Sequence, residues 1–423
     1  MTKSPSHTRS GRAVEQFLRY TRLGRQLGLG RQLIDDDEFN GDTIVLRGNE
    51  VANFGLCSYL GLGDDPRLID AAIDAVSRYG NSYSSSLAYT ALPLYGALRE
   101  RVEAMLGAPT MIAATTTLAH MSALPVVVRQ GDTVAIDANA HASLLSVMPS
   151  LQANGAEIHQ LPHSDLEKLA TLSSDAPGRT WYLFDGLYSM EGATAPAEEL
   201  RAMLDAHEDL WLYCDDAHSL GWSGQRGRGQ FLERAGWHDR IIMAFGLAKS
   251  FGTMGGLIAS PDEELIELIE TSGGPMIFGG PLPPATLGAS IASADIHLSD
   301  ELPGLQGELL ERIRFVNEYS EKIGLPLAQR EETPLWFCEL GGALTVMSVV
   351  YSMVDKGYYL NGALFPAVPR NQGGVRFTVT RYNSLAQIEA MLATLNEVRL
   401  AHEDGENVID LAALEDDLTA DRT

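Results

Sequence analysis

Three apolar runs in the middle of the chain each end in side chains that can do chemistry. "TWYLFDG" (180–186) ends at Asp185, with Ser189 just beyond; "LWLYCDDAHSLG" (210–221) carries Asp215, Asp216 and His218; "RIIMAFGLAK" (240–249) ends on Lys249. A carboxylate and a lysine on neighbouring strands can be a buried ion pair and nothing more. A metal site built from Asp185, Asp215, Asp216 and His218 is a second reading, but it leaves Lys249 beside a cation without a role. A third reading uses every group: the lysine forms a Schiff base with pyridoxal phosphate, and an aspartate keeps the pyridine nitrogen protonated so that the ring can absorb carbanion electrons. Gly246 and Ala248 before the lysine, and Gly252, Gly255 and Gly256 after it, leave room for a bulky ligand.

These side chains can act together only if their strands end at one edge of a sheet. Seven short apolar runs lie between residues 110 and 260: "TMIAAT" (110–115), "TVAIDA" (133–138), "EIHQLP" (157–162), the three above, and "GGLIAS" (255–260). Runs apolar nearly throughout suit strands buried on both faces, and most are separated by enough chain for a crossover helix. The pattern predicts a doubly wound α/β domain with a mostly parallel sheet, in which ligands bind at the carboxyl ends of the strands. "PLYGALRERVEAMLG" (93–107), with Leu94, Leu98, Val102 and Met105 at helical spacing, is expected to cover one face. After "LPP" (282–284) the pattern predicts a long helix through about Phe315, strands at "PLWFCEL" (334–340) and "GVRFTVT" (374–380), and a last helix from Leu385 to Ala401. The expected organisation is an N-terminal arm (1–50), a large domain (51–290), a smaller α+β domain (291–402) and an acidic tail (403–423) in which "VIDLAAL" (408–414) can form a short helix.

Composition removes several classes of function. A formal net charge of −25 sets the overall field against polyanions, so nucleic acid is not the expected partner. Cys57, Cys214 and Cys338 are odd in number and lack metal-ligand spacing, which supports neither a disulfide framework nor a zinc site and suits a reducing compartment. No apolar stretch approaches the roughly 18 residues of a membrane span, and no secretory h-region is present; a cytoplasmic protein is expected. The first 34 residues run against the overall charge, with Lys3, Arg9, Arg12, Arg19, Arg22, Arg25 and Arg31 against Glu15. Val14, Phe17, Leu18 and Thr21 share a helical face there, as expected of an arm packed on its own or a partner subunit, or of a docking patch for an acidic carrier or a phosphate-bearing substrate.

Six segments carry a closer likeness. "NFGLCSYLGL" (53–62), "DANAHASLL" (137–145), "DGLYSMEGATAPAEEL" (185–200), "DDAHSLGWSGQRGRG" (215–229), "AFGLAKSFGTMGG" (244–256) and "IFGGPLPPA" (277–285) follow the order and spacing of the α-oxoamine synthases, which the chain resembles from about Asn53 to Val398. The resemblance implies a fold-type I pyridoxal phosphate transferase with a seven-stranded, mostly parallel sheet. It implies that Lys249 is the internal-aldimine lysine, that His141 stacks on the cofactor ring, that Asp215 pairs with the pyridine nitrogen and that His218 hydrogen-bonds the ring oxygen, with Ser189 near that oxygen and Asp185 at the site edge. Arg376 matches the arginine that holds the amino acid α-carboxylate, a bidentate task suited to guanidinium.

Departures from the family pattern point to the substrate side. A hydroxyl usual three residues before the lysine is replaced by Gly246, and another usual before "LPP" by Gly280. Thr115, Thr116 and Thr117 stand where relatives read Ser-Gly-aromatic, so the phosphate donors are expected to have moved to that helix start. His120 and Ser58 replace usual asparagines and are expected to line the substrate side. The implied reaction condenses a small α-amino acid with an acyl thioester carried by coenzyme A or a carrier protein. Carbon dioxide is lost and an α-aminoketone formed, in a homodimer with shared sites. An aminotransferase on the same scaffold is the alternative, and a cofactor-binding regulator a third.

Overall fold

The computed structural model describes residues 18, 21–25, 27, 29, 30, 32–365 and 367–403. The expectations for Val14, Phe17 and the "VIDLAAL" tail lie outside them. The first elements are the antiparallel strands β1 (Thr43–Leu46) and β2 (Asn49–Asn53), joined by Arg47 and Gly48, both at positive φ. Helices α1 (Pro66–Tyr79) and α2 (Pro93–Leu106) follow, each with proline in its first turn where no amide partner is needed.

Seven strands then form one sheet: β3 (Thr110–Ala113), β4 (Thr133–Asp137), β5 (Glu157–Leu161), β6 (Thr180–Asp185), β7 (Leu210–Asp215), β8 (Ile241–Gly246) and β9 (Gly256–Ala259). Their order is β3-β9-β8-β7-β6-β4-β5, with β5, β4, β6, β7 and β8 parallel and β9 antiparallel to both its neighbours. Strands β6, β7 and β8 are apolar at nearly every position because both faces are covered. On one side lie Leu98, Val102 and Met105 of α2, and on the other Ala119, Ala123 and Leu124 of α3 (Thr116–Val127). The edge strand β5 is partly exposed, so its sequence is correspondingly mixed.

The single helix expected from "LPP" to Phe315 is two helices: α4 (Pro284–His297) and α5 (Leu302–Lys322). Ser299 breaks the ladder by accepting the Glu301 amide on its hydroxyl, and Pro303 restarts a helix without needing a partner for its nitrogen. Gly288 of α4 lets α1 approach its backbone closely, since a Cβ there would collide with the Ala71 carbonyl. Beyond α5 come β10 (Leu335–Gly341), α6 (Ala343–Asp355), β11 (Tyr358–Tyr359), β12 (Asn361–Ala363), β13 (Gly373–Thr378) and α7 (Leu385–Glu403).

Two compact units result, and their boundaries differ from those expected. One comprises residues 57–189 and 193–309; the other comprises the described residues up to 56, Met190–Gly192 and 310–403. Residues 291–309 stay with the sheet unit because Ala294 of α4 belongs to its core. The described residues before 57 join the second unit: β2 pairs with β11, and the Phe54 carbonyl accepts the Thr378 amide at 2.8 Å. Among the described residues no helix is long and apolar enough to cross a membrane, and no cluster of His, Cys, Asp and Glu is able to hold a metal.

Candidate active site

The parallel strands deliver their polar ends to one side of the sheet unit. A cavity of about 290 Å³ there is lined by Thr115, Thr116, Thr117, His141, Asp185, Asp215, His218 and Lys249, together with Ser143, Leu187, Ala217 and Met254. Lys249 sits in the turn between β8 and β9, held by Gly252 N donating to the Lys249 carbonyl at 3.0 Å. Gly252 has φ +78°, and a Cβ there would come within 2.8 Å of the Leu62 carbonyl carbon. Gly252→Ala is therefore expected to lower stability by about 1–3 kcal/mol and to displace the lysine turn, as measured by thermal unfolding of the purified protein.

The opposite wall is the start of α3. Thr115 caps this helix by accepting the Leu118 amide at 3.1 Å, and the first amides of the helix have no partner within it. Gly256 permits the helix to abut the sheet, because a Cβ there would lie 2.5 Å from the Thr116 nitrogen. Thr116 Oγ1 donates to the Phe245 carbonyl at 3.3 Å, and a Cβ on Gly246 would stand 3.0 Å from that hydroxyl.

His141 is placed by backbone contacts. Its amide donates to Asp185 Oδ1 at 2.9 Å, and its Nδ1 meets Ser143 Oγ at 2.7 Å. The chain leading to it is anchored by Asp137 at the end of β4, which accepts the Asn139 and Ser164 amides and the hydroxyls of Tyr182 and Tyr188. His218 is held from behind by Tyr59, whose hydroxyl lies 2.8 Å from His218 Nδ1.

Asp215 accepts the Ala217 amide on Oδ1 at 3.1 Å and His120 Nε2 on Oδ2 at 2.9 Å. Burial pushes its carboxyl up, but the charges of His120 and Lys249 and the His120 hydrogen bond outweigh that and hold it at about 2. Asp185 is the converse case. Burial, reinforced by the charge of Asp215, raises its carboxyl well above the usual range, so of the two it is the one that holds a proton more readily. Protein packed around the His141 ring, with Lys249 and His120, outweighs the pull of Asp215 and keeps that imidazole below its usual range.

Several expected site residues lie elsewhere. His120 does not line the substrate side: it is fully buried between Asp215 and Tyr213 because α3 turns its inward face to the sheet. Ser58, Ser189 and Gly280 are not among the cavity walls. Ser58 is half-buried in a turn, its hydroxyl enclosed without a hydrogen-bond partner; Ser189 is half-buried beyond β6; and Gly280 is exposed two residues after Phe278, itself 87% exposed. Arg376 is buried in β13 of the other unit, opposite Phe337 and Asn361. Sequence reasoning missed Ser143, whose signal was its place two residues after His141, and Tyr59 and Tyr213, whose signal was a tyrosine within reach of a histidine only after folding.

Asp216 points away from the cavity. Its Oδ2 accepts the Phe231 amide at 3.3 Å while Oδ1 is buried without a partner, and burial raises its carboxyl to about 6. The folded state therefore binds this proton more tightly than the unfolded state, so the contribution to stability is present below the unfolded value of 3.8 and lost as pH rises through about 6. Asp216→Asn is expected to remove roughly 2–3 kcal/mol of this pH dependence, seen as a flatter curve of unfolding free energy against pH in denaturant titrations.

Comparison with known proteins agrees with this geometry. Residues 49–394 match the family model described as aminotransferase class I and II. The chain is 31% identical over 362 residues to 8-amino-7-oxononanoate synthase of Azoarcus sp., covering 85% of this chain and 90% of the relative. It is 29% identical over 380 residues to the enzyme of the same name from Symbiobacterium thermophilum, covering 88% and 95%. A serine palmitoyltransferase from S. paucimobilis, solved with a bound PLP–myriocin aldimine, superposes with a TM-score of 0.84 at 22% identity, over 92% of this chain and 98% of that one. An 8-amino-7-oxononanoate synthase from Francisella tularensis superposes at 0.69 with 20% identity, over 84% and 98%. The chain belongs to the aminotransferase class I and II family and, within it, to the α-oxoamine synthases, fold-type I pyridoxal phosphate enzymes.

Proposed function

We infer that this protein is a pyridoxal phosphate-dependent acyltransferase. It condenses a small α-amino acid with an acyl thioester, losing carbon dioxide, to give an α-aminoketone. The observation that carries the reading is the convergence of Lys249, Asp215, His141 and His218 on one cavity whose far wall is the open N-terminus of α3. The residues fit the cofactor chemically: a primary amine for its aldehyde, an ionised carboxylate for its ring nitrogen, imidazoles for its face and ring oxygen, and amides with three threonines for its phosphate. When bound, the cofactor supplies an electron sink for the substrate carbanion.

The protein's own groups divide the remaining work. Lys249 would hold the cofactor through its primary amine and would move the substrate α-proton as a base. Asp215, its carboxyl held low, would accept from the ring nitrogen, while Asp185 beside it, its carboxyl raised, is the weaker acid of the two. His141 would cover the ring and offer a donor to the thioester carbonyl. The hydroxyls of Thr115 and Thr117 and the first amides of α3, that of Thr116 among them, would hold the phosphate. Arg376 takes the α-carboxylate by its place in the motif and the bidentate geometry of guanidinium. Ser189 serves the ring oxygen, and Ser58 the substrate.

The reading extends to a cytoplasmic homodimer in which "IFGGPLPP", including Gly280, faces the partner's phosphate. Exposed Tyr89 and Phe278 are apolar surface for such a contact. The test supplies the PLP-loaded protein with a panel of amino acids and acyl-coenzyme A or acyl-carrier thioesters. Amino acid-dependent release of free thiol and carbon dioxide is the expected result. Conversion of the cofactor to its amine form without thiol release identifies an aminotransferase instead.

A further inference from the structure

Tyr213 and Asp215 are two residues apart on β7 and so face the same side of the sheet, where α3 packs. His120 of that helix bridges them: Nδ1 lies 2.9 Å from the Tyr213 hydroxyl and Nε2 lies 2.9 Å from Asp215 Oδ2. His120 and Tyr213 are wholly buried, and neither lines the cavity that Asp215 enters. An ionised carboxylate only accepts, so Nε2 carries the proton toward Asp215 whatever the charge on the ring. With the ring neutral, Nδ1 must accept, and the phenol donates to it. Burial raises the Tyr213 phenol far above its usual range, which keeps it protonated for that task.

We propose that His120, backed by Tyr213, is a positioning residue that decides which of the two cavity carboxylates stays ionised. Asp185 and Asp215 end adjacent parallel strands in register, and two carboxylates so placed compete to remain protonated. Asp215 has an imidazole N–H behind it as well as a backbone amide; the Asp185 contact resolved at this site is the His141 amide alone. The asymmetry directs the proton to Asp185 and the charge to Asp215. Other groups face Asp215 too: Lys249 from the β8–β9 turn, His141 from the chain after β4, Cys214 from β7 and Asp216 just beyond its end. All of these remain in each variant below, so a change can be assigned to His120. The inference rests on the reading that Asp215 accepts from the cofactor ring nitrogen.

The test is the dissociation constant of PLP measured by equilibrium dialysis from about pH 8 to about pH 5, for the wild type and for His120→Leu, His120→Asn and Tyr213→Phe. Wild-type affinity is expected to be nearly flat, because Asp215 stays ionised throughout. His120→Leu removes the donor and should weaken binding about tenfold to a hundredfold at the upper end. The loss should deepen as pH falls, because Asp215 now takes up its proton within the range. His120→Asn restores one donor and should recover much of the loss. Tyr213→Phe deletes a single buried hydroxyl and should shift the profile in the same direction by less. Should His120→Leu fail to fold, Tyr213→Phe decides. A His120→Leu or Tyr213→Phe protein that binds PLP with the wild-type pH profile, or more weakly by a constant factor at every pH, overturns the inference by reducing His120 to packing, as does a His120→Asn protein that recovers nothing relative to His120→Leu. A folded wild-type chain that takes up no PLP overturns the functional reading, and this inference with it.

Discussion

Lys249→Ala is expected to abolish covalent retention of pyridoxal phosphate and to cut turnover by at least about 10³-fold. The side chain is half-buried in a turn whose glycines fix its position, and among the cavity walls it is the sole primary amine. Two functions disappear together, the anchor for the aldehyde and the base for the α-proton, so their loss is not expected to divide between them. Borohydride reduction followed by peptide mass spectrometry should find the adduct on the peptide carrying Lys249 in the wild type and on no peptide in the variant. Lys249→Arg keeps the charge but not the nucleophile, and should be equally inactive. Turnover above a tenth of wild type in either variant would remove the lysine from the chemistry.

The second large effect is expected from Asp215→Asn, which keeps the shape of the side chain and removes its charge. Turnover should fall by about 10²–10³-fold, the cost of losing a pre-aligned charge at a buried position. PLP affinity should fall as well, because an amide is a poor acceptor for a protonated ring nitrogen. The pH profile makes the role specific. With its carboxyl held at about 2, Asp215 is ionised across the working range, so wild-type PLP affinity should carry no acid limb from this group. Any stability that Asp215 contributes is likewise present above the ordinary carboxylate range and lost only as pH falls through about 2. A variant with near-normal turnover would mean that the ring is activated by another group, of which Asp185 and Asp216 are the carboxylates within the same strand ends.

These effects depend on the architecture more than on the individual residues. The aligned ends of β6 and β7 set Asp185 and Asp215 side by side, and the antiparallel return of β9 brings the Lys249 turn back toward the start of α3. Little space is free there: a Cβ on Gly246 would stand 3.0 Å from both the Thr116 hydroxyl and the Ala217 side chain.

All seven strands of the large sheet could be read from the chain, because strands buried on both faces need apolar residues at nearly every position and that pattern is local. Lys249, Asp215, Asp185 and His218 were legible for a related reason: a polar group that ends an apolar run has left the core at a strand end. The resemblance supplied His141 and the threonines, whose loops carry no periodicity of their own. Local pattern records burial but not the partner that provides it. The antiparallel setting of β9, the union of β1 and β2 with the C-terminal strands and the break between α4 and α5 followed from packing and capping contacts. His120 was the clearest case. Its position in the chain suggested a cavity wall, yet folding set it behind Asp215, 95 residues away, where the helix meets the sheet. Residue types and local spacing determined which groups could do the chemistry; the pairing of distant strands and helices alone decided which faced the cavity and which stood behind, because hydrogen bonds between elements depend on a register that no single segment contains.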